Sequence, residues 1–320
     1  MANTGRSNLD LMMAKDFLSV LDLTADDIAR LLDLARQTKA DRRLGRQAPT
    51  ASALAGRHVA MLFEKPSLRT RSTFEIAVKE LGAETLHVPS EFADGSREPL
   101  EDVARNLERW VHAVVVRTYA HEKVVSMAGV APRLHVVNAL SDEEHPCQAL
   151  ADMMTLQEHW GSLRGRRLAF VGDGNNVATS LAHATALLGV PFHVASPPGY
   201  ELPRGVVETA RSVAKKGADI RLFSDPCEAV RDVDAIYTDV WTSMGQERET
   251  EHRRQVFARY QVDQRLMASA LPGALFMHCL PAHRGEEVTS EVLDSPASVV
   301  LDQSENRLHT HKALLLMLLS

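Results

Sequence analysis

The chain has 320 residues, of which 45% are hydrophobic and 24% are charged, and its formal net charge is −6. This length predicts two domains of ordinary globular composition. The acidic balance and the dispersed basic residues argue against a nucleic-acid-binding protein, and no apolar run is long enough to span a bilayer. The N-terminus carries no apolar leader segment, so we expect a cytoplasmic protein that binds neither nucleic acid nor membrane.

The cysteine and histidine residues do not predict a metal centre or a disulfide framework. Cys147, Cys227 and Cys279 are too few and too scattered for either. Fourteen histidines occur, but none belongs to a His-x-x-x-His helical pair backed by a carboxylate. We therefore expect no metal and no cofactor.

Predicted strands and helices alternate in the first half of the chain, which is typical of a parallel sheet covered by helices on both faces. A helix is predicted over 22–38, with Thr24 as its N-cap and Asp26 and Asp27 in the first turn. Strands are predicted at 58–63, 84–88, 112–117 and 134–137, and helices at 71–81, 99–110, 121–130 and 146–160. The polar stretch 90–97 is predicted to be a mobile loop.

The second half continues the alternation. Strands are predicted at 167–171, 191–195, 219–223, 234–238, 274–278 and 298–301. A helix is predicted to follow the first of these and to end at residue 188, and an apolar helix is predicted over 310–319. We thus predict an α/β protein with two doubly wound parallel-sheet domains. The predicted units are a first domain at 1–144, a bridging helix at 145–160, a second domain at 161–307, and a C-terminal helix at 308–320 that returns to the first domain.

The segment after the strand at 58–63 carries the most informative chemistry. Its sequence is Glu64-Lys65-Pro66-Ser67-Leu68-Arg69-Thr70-Arg71. Pro66 marks a turn, and Ser67 is predicted to be the N-cap of the next helix. Backbone N–H groups at a helix start, together with hydroxyl and guanidinium groups, favour an anion such as phosphate. A solvated basic helix start is the alternative interpretation.

Further polar clusters lie where predicted strands end or the bridging helix begins. Parallel strands bring their carboxyl ends to one edge of a sheet, where α/β proteins bind ligands. Singly, each cluster has a structural explanation: Arg117 could be a solvated cap, His145 a helix cap, and Cys279 a small buried residue. Together they indicate one site. The clusters are Arg117, 145–148, 175–176, 239–245, 278–281 and 305–307.

The glycines after the strand at 167–171 do not form a dinucleotide-binding fingerprint. That fingerprint requires Gly-x-Gly-x-x-Gly, and Val177 occupies the third glycine position. No acidic residue stands at the ribose-binding position after the strand at 191–195. An NAD-dependent dehydrogenase is therefore disfavoured.

In their order along the chain, these motifs resemble the aspartate/ornithine transcarbamylase family, and in particular its ornithine branch. The motifs at 67–71 and 145–148 are shared by transcarbamylases in general, whereas those at 243–245 and 278–281 are more specific to the ornithine branch. The resemblance covers nearly the whole chain. It implies transfer of the carbamoyl group of carbamoyl phosphate to the δ-amine of L-ornithine, in arginine biosynthesis or citrulline breakdown, by a homotrimer or a multiple of trimers.

The resemblance also implies a role for each motif. The residues that would bind carbamoyl phosphate are Ser67, Leu68, Arg69, Thr70, Arg117, His145, Gln148, Cys279, Leu280 and Arg307. The residues that would bind ornithine are Asn176, Asp239, Ser243 and Met244. Three of these residues would be catalytic: Arg117 and His145 would stabilise the carbonyl oxygen, and Cys279 would position the attacking amine.

Two features depart from the family pattern. Position 68 is Leu where many members carry Thr, and we expect little effect because its contact is made through the backbone. The 90–97 loop lacks the Gln that often reaches a phosphate in this family, and its Glu91 would repel an anion. The role of this loop therefore stays open.

Other functions remain to be compared. A sister transcarbamylase acting on putrescine or an N-acylated ornithine would keep the phosphate half of the site, but Asp239 and the 243–245 motif argue against it. A non-catalytic binding protein of the same fold is expected to have lost Arg117, His145 or Cys279, and all three are present.

Overall fold

The computed structural model describes residues 14–92, 97–242 and 247–320, and it contains two all-parallel sheets flanked by helices. The strands of the first sheet are β1 (His58–Phe63), β2 (Glu84–Val88), β3 (Ala113–Arg117) and β4 (His135–Leu140). The helices of this half are α1 (Ala25–Asp41), α2 (Arg69–Glu80), α3 (Leu100–Trp110), α4 (His121–Val130) and α5 (Pro146–Trp160). The predicted α/β class and its two parallel sheets are confirmed.

The second sheet is built from the rest of the chain. Its strands are β5 (Leu168–Val171), β6 (Phe192–Ala195), β7 (Ile220–Phe223), β8 (Ala235–Thr238) and β9 (Leu275–His278). The helices are α6 (Asn176–Leu188), α7 (Arg204–Val213), α8 (Pro226–Ala229), α9 (Thr250–Phe257), α10 (Gln264–Ala268), α11 (Ser290–Leu293) and α12 (Val300–Leu319). Short 3-10 helices span Val20–Asp22, Arg42–Gln47, Ser90–Phe92, Glu247–Glu249 and Ala258–Tyr260. Within the described ranges, no helix is both long and apolar enough for a membrane span.

The strand order creates one switch point in each sheet. The order is β2-β1-β3-β4 in the first sheet and β7-β6-β5-β8-β9 in the second. The chain therefore leaves β1 and β3 in opposite directions, and it does the same at β5 and β8. A crevice forms at the carboxyl ends of such strand pairs, which is where open α/β sheets bind ligands.

Local sequence explains the elements that frame this crevice. All five residues of β3 are buried, as expected for a Val-rich strand covered on both faces. The predicted start of α1 is confirmed, because the Thr24 hydroxyl accepts from the N–H of Asp27 and the Asp27 carboxylate accepts from the N–H of Thr24.

Two long helices cross the middle of the molecule. α12 packs against α1, α2 and α5, so the C-terminal helix does return to the first sheet's layer of helices. Every residue of α5 from Pro146 to Leu156 is buried. Polar side chains on either helix are therefore held among fixed neighbours.

One predicted strand is wrong. Residues 298–301 do not form a strand: only Ser298 makes a bridge, to Phe276, and α12 already begins at Val300. The 305–307 cluster consequently lies inside a helix and not after a strand. The β-branched pair Val299-Val300 favours a strand locally, but burial of a 20-residue helix outweighs that preference.

At most of the other helix and strand ends, the observed boundary lies within three residues of the predicted one, as expected because such ends fray. The predicted mobile loop at 90–97 begins as a 3-10 helix at Ser90–Phe92, and residues 93–96 lie outside the described part of the chain.

Candidate active site

A cavity of about 380 Å³ is lined by residues from both halves of the chain. It gathers eleven of the predicted site residues. Those from the first half are Ser67, Leu68, Arg69, Thr70, Arg117 and His145. Those from the second half are Asn176, Asp239, Cys279, Leu280 and Arg307. Gln148 does not line the cavity but bonds to Arg307 from behind it, and Ser243 and Met244 lie outside the described residues.

The start of α2 forms one wall and corrects the predicted cap. Ser67 is not the N-cap; that position belongs to Leu68, which is itself in the helical region at φ −72° and ψ −59°. Because a leucine side chain has no hydrogen-bond acceptor, no side-chain cap bond is made by the N-cap residue. The first-turn N–H groups of α2 are thus available to an anion.

Two guanidinium groups concentrate positive charge beside this helix start. Arg117 is 9% exposed and Arg307 is 2% exposed, and both donate to the Thr70 hydroxyl, at 3.5 and 2.8 Å. Burial and the neighbouring Arg307 lower the pKa of Arg117 to about 10, so it stays protonated at neutral pH. Within the described ranges, no carboxylate forms a salt bridge with either arginine. Two buried cations without a salt-bridge partner favour the binding of an anionic ligand.

His145 lies at the start of α5 as a neutral donor. Its backbone N–H donates to the Ser180 hydroxyl at 2.9 Å, and Ser180 in turn donates to Glu144 at 2.8 Å. Burial, followed by the charges of Arg307 and Arg117, holds the pKa of His145 well below its ordinary value. The uncharged imidazole can donate one hydrogen bond to a carbonyl oxygen without adding a third cation.

The second half contributes a linked pair of polar groups. The Cys279 thiol donates to Asp239 Oδ1 at 2.9 Å, and the Asn175 amide donates to the other carboxylate oxygen at 2.8 Å. Burial and the adjacent Asp239 raise the pKa of Cys279 well above its usual value. The thiol therefore stays protonated, and a thiolate nucleophile is ruled out at neutral pH.

A buried acid fixes the turn that carries Cys279. The N–H of Leu280 donates to His278 Nδ1 at 2.8 Å, and the other ring nitrogen of His278 lies 3.0 Å from Glu287 Oε1. His278 and Glu287 are both fully buried. Leu280 has a φ of +58°, which is unfavourable for a residue with a side chain and is retained only where neighbours impose it.

Among the described residues, two groups of side chains come within the reach of a metal ion. They are Asp239 with His278 and Cys279, and His283 with Glu286 and Glu287. In the first group every polar atom is already used by the hydrogen bonds given above. In the second, Glu286 is paired with Arg254 at 2.6 Å.

Sequence reasoning missed several residues at or behind the cavity. Lys65 lines it, with its ammonium 3.8 Å from the centre of the Tyr119 ring, and burial lowers its pKa. Asp152 and Gln303 lie behind it, and Asp152 accepts from the side-chain amides of both Gln148 and Gln303. The spacing of Gln148 and Asp152, four residues apart on one helix face, could have identified that pair.

Known proteins of one family match nearly the whole length of the chain. Residues 15–158 match the family model described as "Aspartate/ornithine carbamoyltransferase, carbamoyl-P binding domain". Residues 164–318 match "Aspartate/ornithine carbamoyltransferase, Asp/Orn binding domain". The chain is 50% identical over 310 residues to an ornithine carbamoyltransferase of Acidothermus cellulolyticus, covering 96% of this chain and 97% of the relative.

Solved structures that are similar to this chain belong to the same family. An ornithine carbamoyltransferase from Pyrococcus furiosus has a TM-score of 0.90 at 46% identity and covers 95% of this chain and 96% of its own. One from Thermus thermophilus has a TM-score of 0.86 at 43% identity and covers 97% and 100%. The chain therefore belongs to the aspartate/ornithine carbamoyltransferase family, and within it to the ornithine carbamoyltransferases.

Proposed function

We propose that the cavity binds carbamoyl phosphate and L-ornithine and transfers the carbamoyl group to the δ-amine, giving L-citrulline and phosphate. The observation that carries this proposal is the pair of buried cations, Arg117 and Arg307, which share the Thr70 hydroxyl beside the open start of α2. A doubly charged acyl phosphate supplies the missing negative charge. The named relatives support the choice of carbamoyl phosphate and of ornithine.

The phosphate is proposed to lie at the start of α2. There the N–H of Leu68 and the side chains of Ser67, Arg69 and Thr70 converge, with Arg307 approaching from α12. These contacts stabilise the phosphate further as it leaves, because its charge grows while the bond to the carbamoyl carbon breaks.

The carbonyl oxygen is proposed to face Arg117, His145 and the Thr70 hydroxyl. Negative charge develops on this oxygen in the tetrahedral transition state, and three preorganised donors in a buried site lower its energy. The carbamoyl NH2 group is assigned to two acceptors, the side-chain oxygen of Gln148 and the backbone carbonyl of Leu280.

Ornithine is proposed to lie against the second sheet. Its α-carboxylate is assigned to Asn176 and to the N–H of Met244, and its α-ammonium to Asp239 and Ser243. Cys279 is protonated and bonded to Asp239, so it positions the neutral δ-amine and does not itself attack the carbonyl carbon. The neutral amine attacks the carbonyl carbon directly, the bond from that carbon to the phosphate oxygen breaks, and the proton that the amine loses leaves with the phosphate.

The proposal also includes the boundaries of the domains. We assign the first domain to 1–144, the bridging helix to 145–160, the second domain to 161–307, and the C-terminal helix 308–320 to the first domain. The homotrimer, the cytoplasmic location and the place in arginine biosynthesis stay predictions.

Product formation with two amines tests the reaction. Purified protein is given carbamoyl phosphate with either ornithine or putrescine, and citrulline and carbamoylputrescine are quantified. Putrescine has no α-carboxylate, so the groups assigned to bind that carboxylate would stay unpaired. We therefore expect kcat/KM to favour ornithine by roughly 10²-fold or more. Arg69→Gln should lose most activity, whereas Arg204→Gln, at a side chain that is 91% exposed, should lose none. Equal efficiency with both amines would point to the sister transcarbamylase instead.

A further inference from the structure

Asp152 is a fully buried acid behind the cavity, on α5. Its Oδ1 accepts from the side-chain amide of Gln148 at 2.8 Å and from that of Gln303 on α12 at 2.7 Å. The hydroxyl of Tyr237, on β8, accepts from the same Gln303 amide at 3.0 Å. The carboxyl group and its two glutamine partners thus join the bridging helix, the second sheet and the C-terminal helix.

A side-chain amide has a donor end and an acceptor end, and Asp152 Oδ1 accepts from the NH2 groups of both glutamines. Both glutamines must therefore direct their NH2 groups toward Asp152 and their oxygens away from it. The oxygen of Gln148 then accepts from Arg307, and the oxygen of Gln303 accepts at 3.0 Å from the N–H of His278, the residue before Cys279.

The opposite orientation of Gln148 would be costly. Its NH2 group would face the guanidinium of Arg307, which has only donors, and a carbamoyl NH2 would lose its side-chain acceptor. A buried donor without an acceptor costs about 1–3 kcal/mol, enough to weaken binding by roughly tenfold or more.

We propose that Asp152 is a positioning residue that fixes the amide orientation of Gln148, and thereby makes the site prefer a carbamoyl phosphate over an acyl phosphate without an amide. Through Gln303 the same carboxyl group also ties the start of the Cys279 turn to α12. This inference rests on the proposed function, because it assigns the carbamoyl NH2 to Gln148.

Acetyl phosphate provides the test, because it replaces the carbamoyl NH2 with a methyl group of similar size. Dissociation constants for both acyl phosphates are measured by calorimetry on the full-length protein. The wild type should bind carbamoyl phosphate at least about tenfold more tightly than acetyl phosphate. In Asp152→Leu the two constants should lie within about threefold of each other, since Gln148 is no longer oriented.

Two further variants show whether the effect of Asp152→Leu comes from the lost orientation of the Gln148 amide, from the lost charge or from a folding defect. Asp152→Asn keeps an acceptor oxygen at the same place, so it should retain the preference of the wild type. Asp152→Ala removes the acceptor without adding volume, so it carries the same expectation as Asp152→Leu and replaces it if that variant does not fold.

A control on the same helix is Thr155→Val. Thr155 is fully buried and accepts from the Asn306 amide on α12 at 2.9 Å, but it has no bond to Gln148. Its replacement should lower Tm and leave the ratio of the two dissociation constants unchanged.

The outcomes are distinguishable. A wild-type protein that neither binds carbamoyl phosphate nor forms citrulline overturns the proposed function. A functional wild type whose preference survives in Asp152→Leu and Asp152→Ala, or is lost equally in Asp152→Asn, overturns the role of Asp152 alone.

Discussion

At the scale of single residues, two buried arginines lower the stability of the ligand-free protein and favour ligand binding. Arg117 and Arg307 are both buried and, in the part of the chain that the structure describes, neither forms a salt bridge with an acid. Burial and the neighbouring Arg307 lower the pKa of Arg117, and burial lowers that of Arg307. Such groups destabilise the free protein and stabilise the complex, which is a common arrangement at catalytic sites. The sequence predicted both residues for one site, but it did not predict that they share the Thr70 hydroxyl.

Arg117→Met tests this trade-off. The substitution removes one of two like charges and keeps an apolar stem, so Tm of the ligand-free protein should rise by at least about 2 °C. The same change should lower kcat by roughly 10²-fold or more, because a donor to the developing oxyanion is lost. Thermal unfolding and citrulline formation measure the two effects. A variant that is less stable than the wild type and equally active would contradict this account.

At the scale of elements, the turn between β5 and α6 depends on a glycine for close approach. A Cβ on Gly174 would lie 2.4 Å from the backbone carbon of Glu201 and 2.4 Å from the nitrogen of Leu202. Gly174 also donates from its N–H to the Tyr200 carbonyl at 2.8 Å. Asn175 then caps α6 and Asn176 begins it, so the turn positions the residues assigned to ornithine.

Gly174→Ala should therefore affect the two substrates unequally. The new methyl group must push the turn away from 201–202, so KM for ornithine should rise by roughly tenfold or more, following the loss of oriented polar contacts. Binding of carbamoyl phosphate, whose ligands lie mainly on the other sheet, should change by less than about threefold. Steady-state kinetics and calorimetry provide these values.

The matched control is Gly205→Ala in α7. A Cβ there meets no atom within 4 Å, and alanine favours a helix over glycine by about 1 kcal/mol. This variant should be as active as the wild type and slightly more stable. If KM for ornithine changes equally in both variants, the role given to the β5–α6 turn is wrong.

At the scale of the whole molecule, an apolar edge is left exposed. β2 is an edge strand of the first sheet, and Leu86 on it is 41% exposed, while Trp110 at the end of α3 is 63% exposed. Both line a groove of about 270 Å³. Exposed apolar patches of this kind are typical of subunit interfaces, and the groove is the surface expected to carry the predicted trimer contact.

Sedimentation velocity tests the assembly. The wild type should sediment at three times the chain mass of 35.3 kDa, or at a multiple of that value. Leu86→Glu places a charge in the groove and should shift the population toward monomer, because burying an unpaired charge is costly. Leu301→Glu, at a position 76% exposed on α12, should keep the wild-type mass. A stable wild-type monomer at micromolar concentration would rule out the trimer.

The sequence by itself determined the α/β class, most strand positions and eleven of the residues that line the cavity. Periodicity and strand ends are local properties, so they placed Arg117, His145, Asp239 and Cys279 at the correct ends of their elements. Tertiary structure decided what depends on distant contacts. Residues 298–301 are predicted to form a strand, yet α12 begins at Val300, because packing on other helices outweighs local propensity. Tertiary structure also linked Asp152 to Gln303, since a hydrogen bond between residues 151 positions apart leaves no pattern in a single sequence.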